Sequence, residues 1–464
     1  MRVSGLGAPA TARAKRSARS AGFAALLLCL LGTAAAPRPA AAALTDLLVP
    51  QEARLKNGLR VLTLEDPTAA VATFQVWYDV GSRNERPGIT GITHLFEHLM
   101  FKGSKNVGAE EHTRLVQSVG GVDNAFTTWD VTVYWANVPP DQLELIARLE
   151  AERMSTLRLT AENLKSERKV VKEERRYRVE DNPIAKAVEE MTAVAYVAHP
   201  YQWPTLGWMS DLDALTLADV QDYYVTHYAP DKATLVVCGP VTHARVVGLA
   251  EKYFGKLKPG KPAPPVSTVE PEQRGERRAV VNANAQLPVV IAGYKIPPDS
   301  SADTPALEVV SRILSQGQSS RLYKKLVYED QTALFAGGVA LGRKNPGLFY
   351  AFAAVKPGKD RAQVEDTLFA VIDRLGRDGP TEEEMGKAKN QAESDFVFGL
   401  ETPQNRADAL GNAALIGGDA RRAGRKLEDI RAVTAEDVKR VVTAYLVRDR
   451  RTVVWVVPAE RSGS

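Results

Sequence analysis

The stretch GITHLFEHLM, Gly91–Met100, places His94, Glu97 and His98 within five residues of one another, in a chain with only 6 histidines. On a helix of 3.6 residues per turn these positions fall within about 100° of arc. His94 and His98 stand one turn apart and can share one ion through imidazole nitrogens, which are good zinc ligands. Glu97 is adjacent to that ion but offset, which suits a general base better than a ligand. The flanking Ile92, Leu95, Phe96, Leu99 and Met100 predict a half-buried helix, and a buried polar trio needs partners.

Two imidazoles do not complete a catalytic zinc site, which takes three protein ligands and leaves a position for water. The third is expected to be a carboxylate on another rigid element. The stretch LKSERKVVKEERRYRVED offers Glu167, Glu173 and Glu174. Glu167 and Glu174 are a heptad apart and lie about 20° from each other on one helix face, whereas Glu173 is turned away. Two carboxylates on one face can serve as one ligand and one partner that orients a ligand.

The elements that must position these residues follow from pattern. GLRVLTLEDP and VATFQVWYDVG have the apolar, β-branched and aromatic content of strands. A helix is expected from about Ala109 to Val119. GGVDNAFTTWDVTVYWANVP reads as a turn and a strand, and one long helical region is expected from about Asp141 to Arg178. DKATLVVCGPV reads as a further strand and THARVVGLAEKYFGKL as an amphipathic helix. Residues 258–277, KPGKPAPPVSTVEPEQRGER, are rich in Pro and charge and mark a linker.

The order then repeats. LPVVIAGYKIPP is a strand, TPALEVVSRILSQ a helix and GLFYAFAAVKPG a strand. Helices follow from Arg361 to Arg377 and from Glu382 to Phe398, and RTVVWVVP closes as a strand. The expectation is an α+β fold of two similar domains, each a mainly antiparallel sheet packed with helices, joined by a Pro-rich linker. The boundaries expected are 44–257 for the half with the histidine motif and 278–464 for a half without it.

The 464-residue chain has 44% hydrophobic and 25% charged residues, which does not suit a disordered chain. Its net charge is +4, but Arg2, Arg13, Lys15, Arg16 and Arg19 precede the first apolar run, so charge makes no case for nucleic acid. Those residues, then GFAALLLCLLGTAAA and PRPAAAALTD, read as a signal peptide over residues 1–43. The expected product is an exported chain, periplasmic or extracellular, starting near Leu44. No stable membrane span is expected after leader removal. Cys238 is then alone, so no internal disulfide is expected.

HLFEH, the carboxylates of SERKVVKEE, and the contexts GSRNERPGITGITHLFEHLMFKGS, GGVDNAFTTWDVTVYW, HPY and SSRLYKKL together resemble the inverzincin metallopeptidases. That family includes pitrilysin, insulin-degrading enzyme and mitochondrial processing peptidase, and the chain resembles its short, bacterial-type two-domain members. The resemblance extends over essentially the whole chain after the leader. It implies one Zn2+ per chain held by His94, His98 and Glu174, with Glu97 as general base and Glu167 as the carboxylate that orients a ligand. It implies that Asn124 and Ala125 contact the backbone of a peptide substrate. His112, His199, His227 and His243 are expected to be structural.

The chain departs from the family pattern at one place. Active members carry an arginine and a tyrosine seven apart after the SSRLY helix, where they help bind the substrate carbonyl. Here those positions fall on Val327 and Leu334, with Tyr328 and Phe335 out by one residue. The resemblance therefore implies a zinc endopeptidase subunit that pairs with a related chain lacking HxxEH and carrying the Arg/Tyr pair. Two rivals stand beside it: a non-catalytic binding or assembly subunit, and a self-sufficient homodimer.

Overall fold

The computed structural model describes residues 48–459. The leader assigned to residues 1–43 lies outside the described residues. The first half contributes β1 Gln51–Arg54, β2 Arg60–Glu65, β3 Ala72–Tyr78, α1 Ile92–Leu99, α2 Glu111–Ser118, β4 Val122–Thr127 and β5 Thr132–Val138. It continues with α3 Leu143–Thr156, α4 Ala161–Arg175, α5 Pro183–Ala195, α6 Met209–Ala214, α7 Leu217–His227, β6 Ala233–Gly239 and α8 His243–Phe254. The second half contributes β7 Arg277–Ala283, β8 Val289–Ile296, α9 Thr304–Ser315, β9 Ala333–Leu341 and β10 Gly347–Val355. It ends with α10 Arg361–Asp378, α11 Glu382–Phe398, α12 Pro403–Leu415, α13 Arg422–Ala432, α14 Ala435–Tyr445 and β11 Arg451–Pro458.

Two sheets result, in the orders β1-β2-β6-β3-β5-β4 and β7-β11-β8-β10-β9. Without β1 the two orders match strand for strand. In each, one pair is parallel (β2–β6 and β7–β11) and the others are antiparallel. The fold is α+β, two sheet-and-helix halves of one topology. The apolar runs of β3 and β6 are buried at every residue, as strands covered on both faces are. Cys238 lies within β6, where burial pushes its thiol up to about 12.

Each sheet receives one helix from the other half. α5 packs on β7, β8 and β11, and α12 packs on β3 and β6. The seams are reciprocal. A Cβ at Gly411 of α12 would come within 2.2 Å of the Trp77 indole on β3. A Cβ at Gly293 of β8 would come within 2.7 Å of the Met191 sulfur on α5. Trp77 pairs with Thr234 and Gly293 with Thr452, the matching positions of β6 and β11. The large side chain is on the strand in one half and on the helix in the other.

Two local expectations need correction. The helical region from Asp141 to Arg178 is broken at Leu157–Thr160, where Leu157 bridges to Ser104 and Thr160 caps a new helix by accepting from the Asn163 N–H. The segment Val122–Val138 is a two-stranded hairpin, β4 and β5, turned where the Thr128 N–H donates to Val131 O at 2.8 Å. Residues 258–276 have no regular secondary structure. They are anchored at Glu270, whose carboxylate accepts from the N–H groups of Val197, Ala198 and His199 and from Lys295. No helix among the described residues is long and apolar enough to cross a membrane.

Candidate metal centre

Helix α1 is fixed at its first turn. Gly91 adopts φ +85, and a Cβ there would come within 2.6 Å of Leu206 O, so only glycine fits. The buried Glu85 carboxylate accepts from the N–H of Gly91 at 2.8 Å and of Thr93 at 2.9 Å. Those N–H groups have no partner inside the helix, and an anion there suits the helix dipole. The Thr93 hydroxyl bonds the Tyr223 hydroxyl at 2.6 Å. Ile92, Leu95, Phe96 and Leu99 are buried, and the Phe96 ring stacks on Tyr228 at 4.7 Å. One face of the helix is thus held in the core, and the other carries His94, Glu97 and His98.

The face meets α4. One donor atom each from His94, His98 and Glu174 lies within 4.8 Å of the others, and this is the one such group of three among the described residues. His94 Nε2 is 3.7 Å and His98 Nε2 3.2 Å from the Glu174 carboxylate. Glu167 approaches the other His98 nitrogen, Nδ1, at 3.6 Å and is held in turn by Lys102 at 3.1 Å. Glu173 points away: it is exposed and paired with Arg176. Glu97 accepts from the Thr127 hydroxyl of β4 at 2.6 Å.

The protonation states fit a cation. Burial pushes His94 down to about 4, so it is neutral, and its buried Nδ1 has no hydrogen-bond partner. Burial also opposes charge on His98, but hydrogen bonds to Glu167 and Glu174 outweigh it and push it up to about 9. His98 is thus cationic between two carboxylates, and a cation held by its ring nitrogen would displace that proton. The bond to His98 keeps the Glu174 carboxyl below its usual range. Burial raises Glu97 above the usual carboxylate range against the Thr127 bond, the direction that suits a proton acceptor working near neutral pH. Two imidazoles and a carboxylate at this spacing are a donor set for zinc.

Strand β4 is the outer edge of its sheet and pairs only with β5. Asn124 is exposed there, and its side-chain oxygen accepts from the Ala125 N–H at 2.8 Å. The other histidines have other partners: His112 contacts Asp123 at 3.2 Å, His199 accepts from the Tyr201 N–H, and His243 bonds Thr63. His227 is buried, which pushes it down to about 4. In the second half Val327 packs against the core, while Leu334, Phe335 and Tyr328 are exposed. Sequence reasoning missed Glu85, Lys102, Thr127 and Arg178 as neighbours of the site. Only Arg178 gave a signal, its i+4 spacing from Glu174, where an arginine meets a carboxylate on a helix.

Fold and donor set define a class: two like-folded halves with, among the described residues, one candidate cation centre, on the first. Residues 60–207 match the family model described as insulinase, peptidase family M16, and residues 214–392 match the peptidase M16 inactive domain. Zinc protease PqqE of Helicobacter pylori is 33% identical over 409 residues, 87% of this chain and 92% of that protein. A protein of Mycobacterium bovis named an uncharacterized zinc protease is 31% identical, over 89% of this chain and 94% of its own. The crystal structure of a protease from Helicobacter pylori superimposes with a TM-score of 0.85 at 32% identity, covering 89% of this chain and 100% of that one. The chain belongs to the insulinase family, peptidase family M16.

Proposed function

We propose that the chain is an exported zinc-dependent endopeptidase subunit that cleaves extended or unfolded peptides. The observation that carries this is the convergence of His94, His98 and Glu174 beside Glu97, at the open edge of β4. In this reading those three residues hold one zinc ion per chain, and the relatives named zinc proteases support the choice of metal. Zinc, when bound, lowers the pKa of a bound water toward neutrality.

The protein residues supply the rest. Glu97 takes the water's proton and returns it to the leaving amine. Glu167 orients the His98 ring through Nδ1, and Lys102 holds Glu167 in turn. A peptide pairs along β4 through main-chain bonds, with the Ala125 N–H passing from Asn124 to the substrate. The domains in this reading are residues 44–257 and 278–464, linked by 258–277 and preceded by a leader at 1–43. Periplasmic or extracellular location rests on the composition of that leader.

Val327 and Leu334 offer no donor to a substrate, which supports a hetero-oligomer whose second subunit, lacking HxxEH, supplies an arginine and a tyrosine. Tyr328, 73% exposed, favours a second arrangement, a homodimer that uses its hydroxyl. Hydrolysis of a quenched unstructured peptide by the zinc-loaded chain, alone and with a candidate partner, tests both. Activity that needs the partner supports the first. Full activity from the chain alone, lost in Tyr328→Phe, supports the second. No hydrolysis under either condition contradicts the peptidase reading.

A further inference from the structure

Arg178 stands four residues beyond Glu174, in the π-helical turn Arg176–Glu180 that continues α4. Such turns are rare and cluster at functional sites. Its guanidinium Nη1 is 2.9 Å from Glu174 Oε1, the oxygen that also lies 3.7 Å from His94 Nε2. Glu174 is its one ion-pair partner among the described residues, and its side chain is 65% exposed. Lys102, the other cation at the cluster, is only 24% exposed and is committed to Glu167 and Glu110. Arg178 is therefore the cation that reaches the centre from the solvent side.

A guanidinium has five N–H donors and no acceptor, so Arg178 cannot be a ligand. What such a group does well is donate to a developing oxyanion. We propose that Arg178 is a catalytic residue of peptide hydrolysis, donating N–H groups to the oxygen of the scissile carbonyl. This rests on the peptidase reading above. When water adds, its oxygen bonds to the carbonyl carbon and its proton passes to Glu97. The carbonyl π pair moves onto the oxygen that Arg178 faces. The donor then comes from the same half as the candidate metal ligands, independently of any partner subunit.

The test uses the full zinc-loaded chain and a phosphinic pseudopeptide, whose tetrahedral phosphorus carries an oxyanion. Affinities for this probe and for the matching ordinary peptide are compared in Glu97→Gln protein with and without Arg178→Ala or Arg178→Lys. Zinc affinity is read separately by competition with a chromophoric chelator. Arg178→Ala is expected to weaken the phosphinic probe about 100-fold, while ordinary-peptide and zinc affinities move less than about threefold. Arg178→Lys is expected to recover part of the loss. Equal phosphinic affinity with and without Arg178, whether tight or undetectable, overturns the proposal. So does a loss that only follows weakened zinc binding, which would make Arg178 a support for Glu174. A chain with intact Arg178 that takes up no zinc removes the metal reading beneath it, and the chelator titration shows that separately.

Discussion

The two halves share one topology and differ at the same four places. In the first, His94 and His98 on α1 face Glu174 on α4, and Glu97 turns toward β4. In the second, Arg312 on α9 and Gln316 at its C-cap, also four residues apart, both bond Asp395 on α11. Ser315 turns toward β9, where its hydroxyl donates to Gly338 O at 2.7 Å. Glu174 and Asp395 stand at the same distance from their N-caps, Thr160 and Thr381. A guanidinium has no lone pair for a metal, so Arg312 places a permanent internal cation where the first half has space for an exchangeable one. The sheet edges differ likewise. Ser311 and Ser315 occupy the N–H groups of Ala340 and Gly338, whereas the Ala125 N–H is held only by its neighbour Asn124. One scaffold thus carries a candidate metal centre in one half and an ion-paired cluster in the other, through a handful of side chains on α1, α4 and their counterparts.

The largest effect that could break this comparison is loss of the centre itself. His94→Ala or His98→Ala is expected to abolish zinc uptake and proteolysis together. Glu97→Gln should retain zinc and lose activity, and a Glu97→Gln protein without zinc on metal analysis would make Glu97 a ligand. At the reciprocal seam, Trp77→Ala opens a cavity against Gly411 and is expected to cost about 3–5 kcal/mol, read from the urea midpoint. A shift below a third of that would mean the seam collapses without penalty.

Smaller effects sharpen the assignment on α4. Glu167→Gln is expected to weaken zinc binding or activity about 10–100-fold, as partners that orient a ligand do. Glu174→Gln should exceed that range, while the exposed Glu173→Gln should leave zinc affinity unchanged. Equal losses at 173 and 174 would defeat the assignment. Least of all, Ser315→Ala in the second half is expected to leave kcat/KM unchanged. A large drop there would show that the closed edge takes part in substrate binding.

The elements of both halves were legible where apolar period was strong, as in β3, β6, β8 and β10 and the long helices α10 and α11. The convergence of His94, His98 and Glu174 followed from helical phase and family resemblance. The break at Leu157–Thr160 was hidden because Arg158, Leu159 and Thr160 are compatible with a helix; the bridge to Ser104, the Arg158 N–H bond to Gly103 O and the Thr160 cap set it instead. The exchange of α5 and α12 between sheets was hidden for another reason. An amphipathic helix shows that one face is buried but does not name the sheet that buries it. That choice rests on long-range fits such as Trp77 against Gly411. Glu85 and Thr127 were invisible because each meets α1 through the tertiary fold.

Zinc stoichiometry tests the account most directly. Metal-free chain is reloaded, desalted and counted by native mass spectrometry, for the wild type, His94→Ala/His98→Ala and Arg312→Ala/Gln316→Ala. The account predicts one zinc in the wild type, none when the first-half pair is removed, and one still when the second-half pair is removed. Zinc retained without His94 and His98, or lost with Arg312 and Gln316, would contradict it.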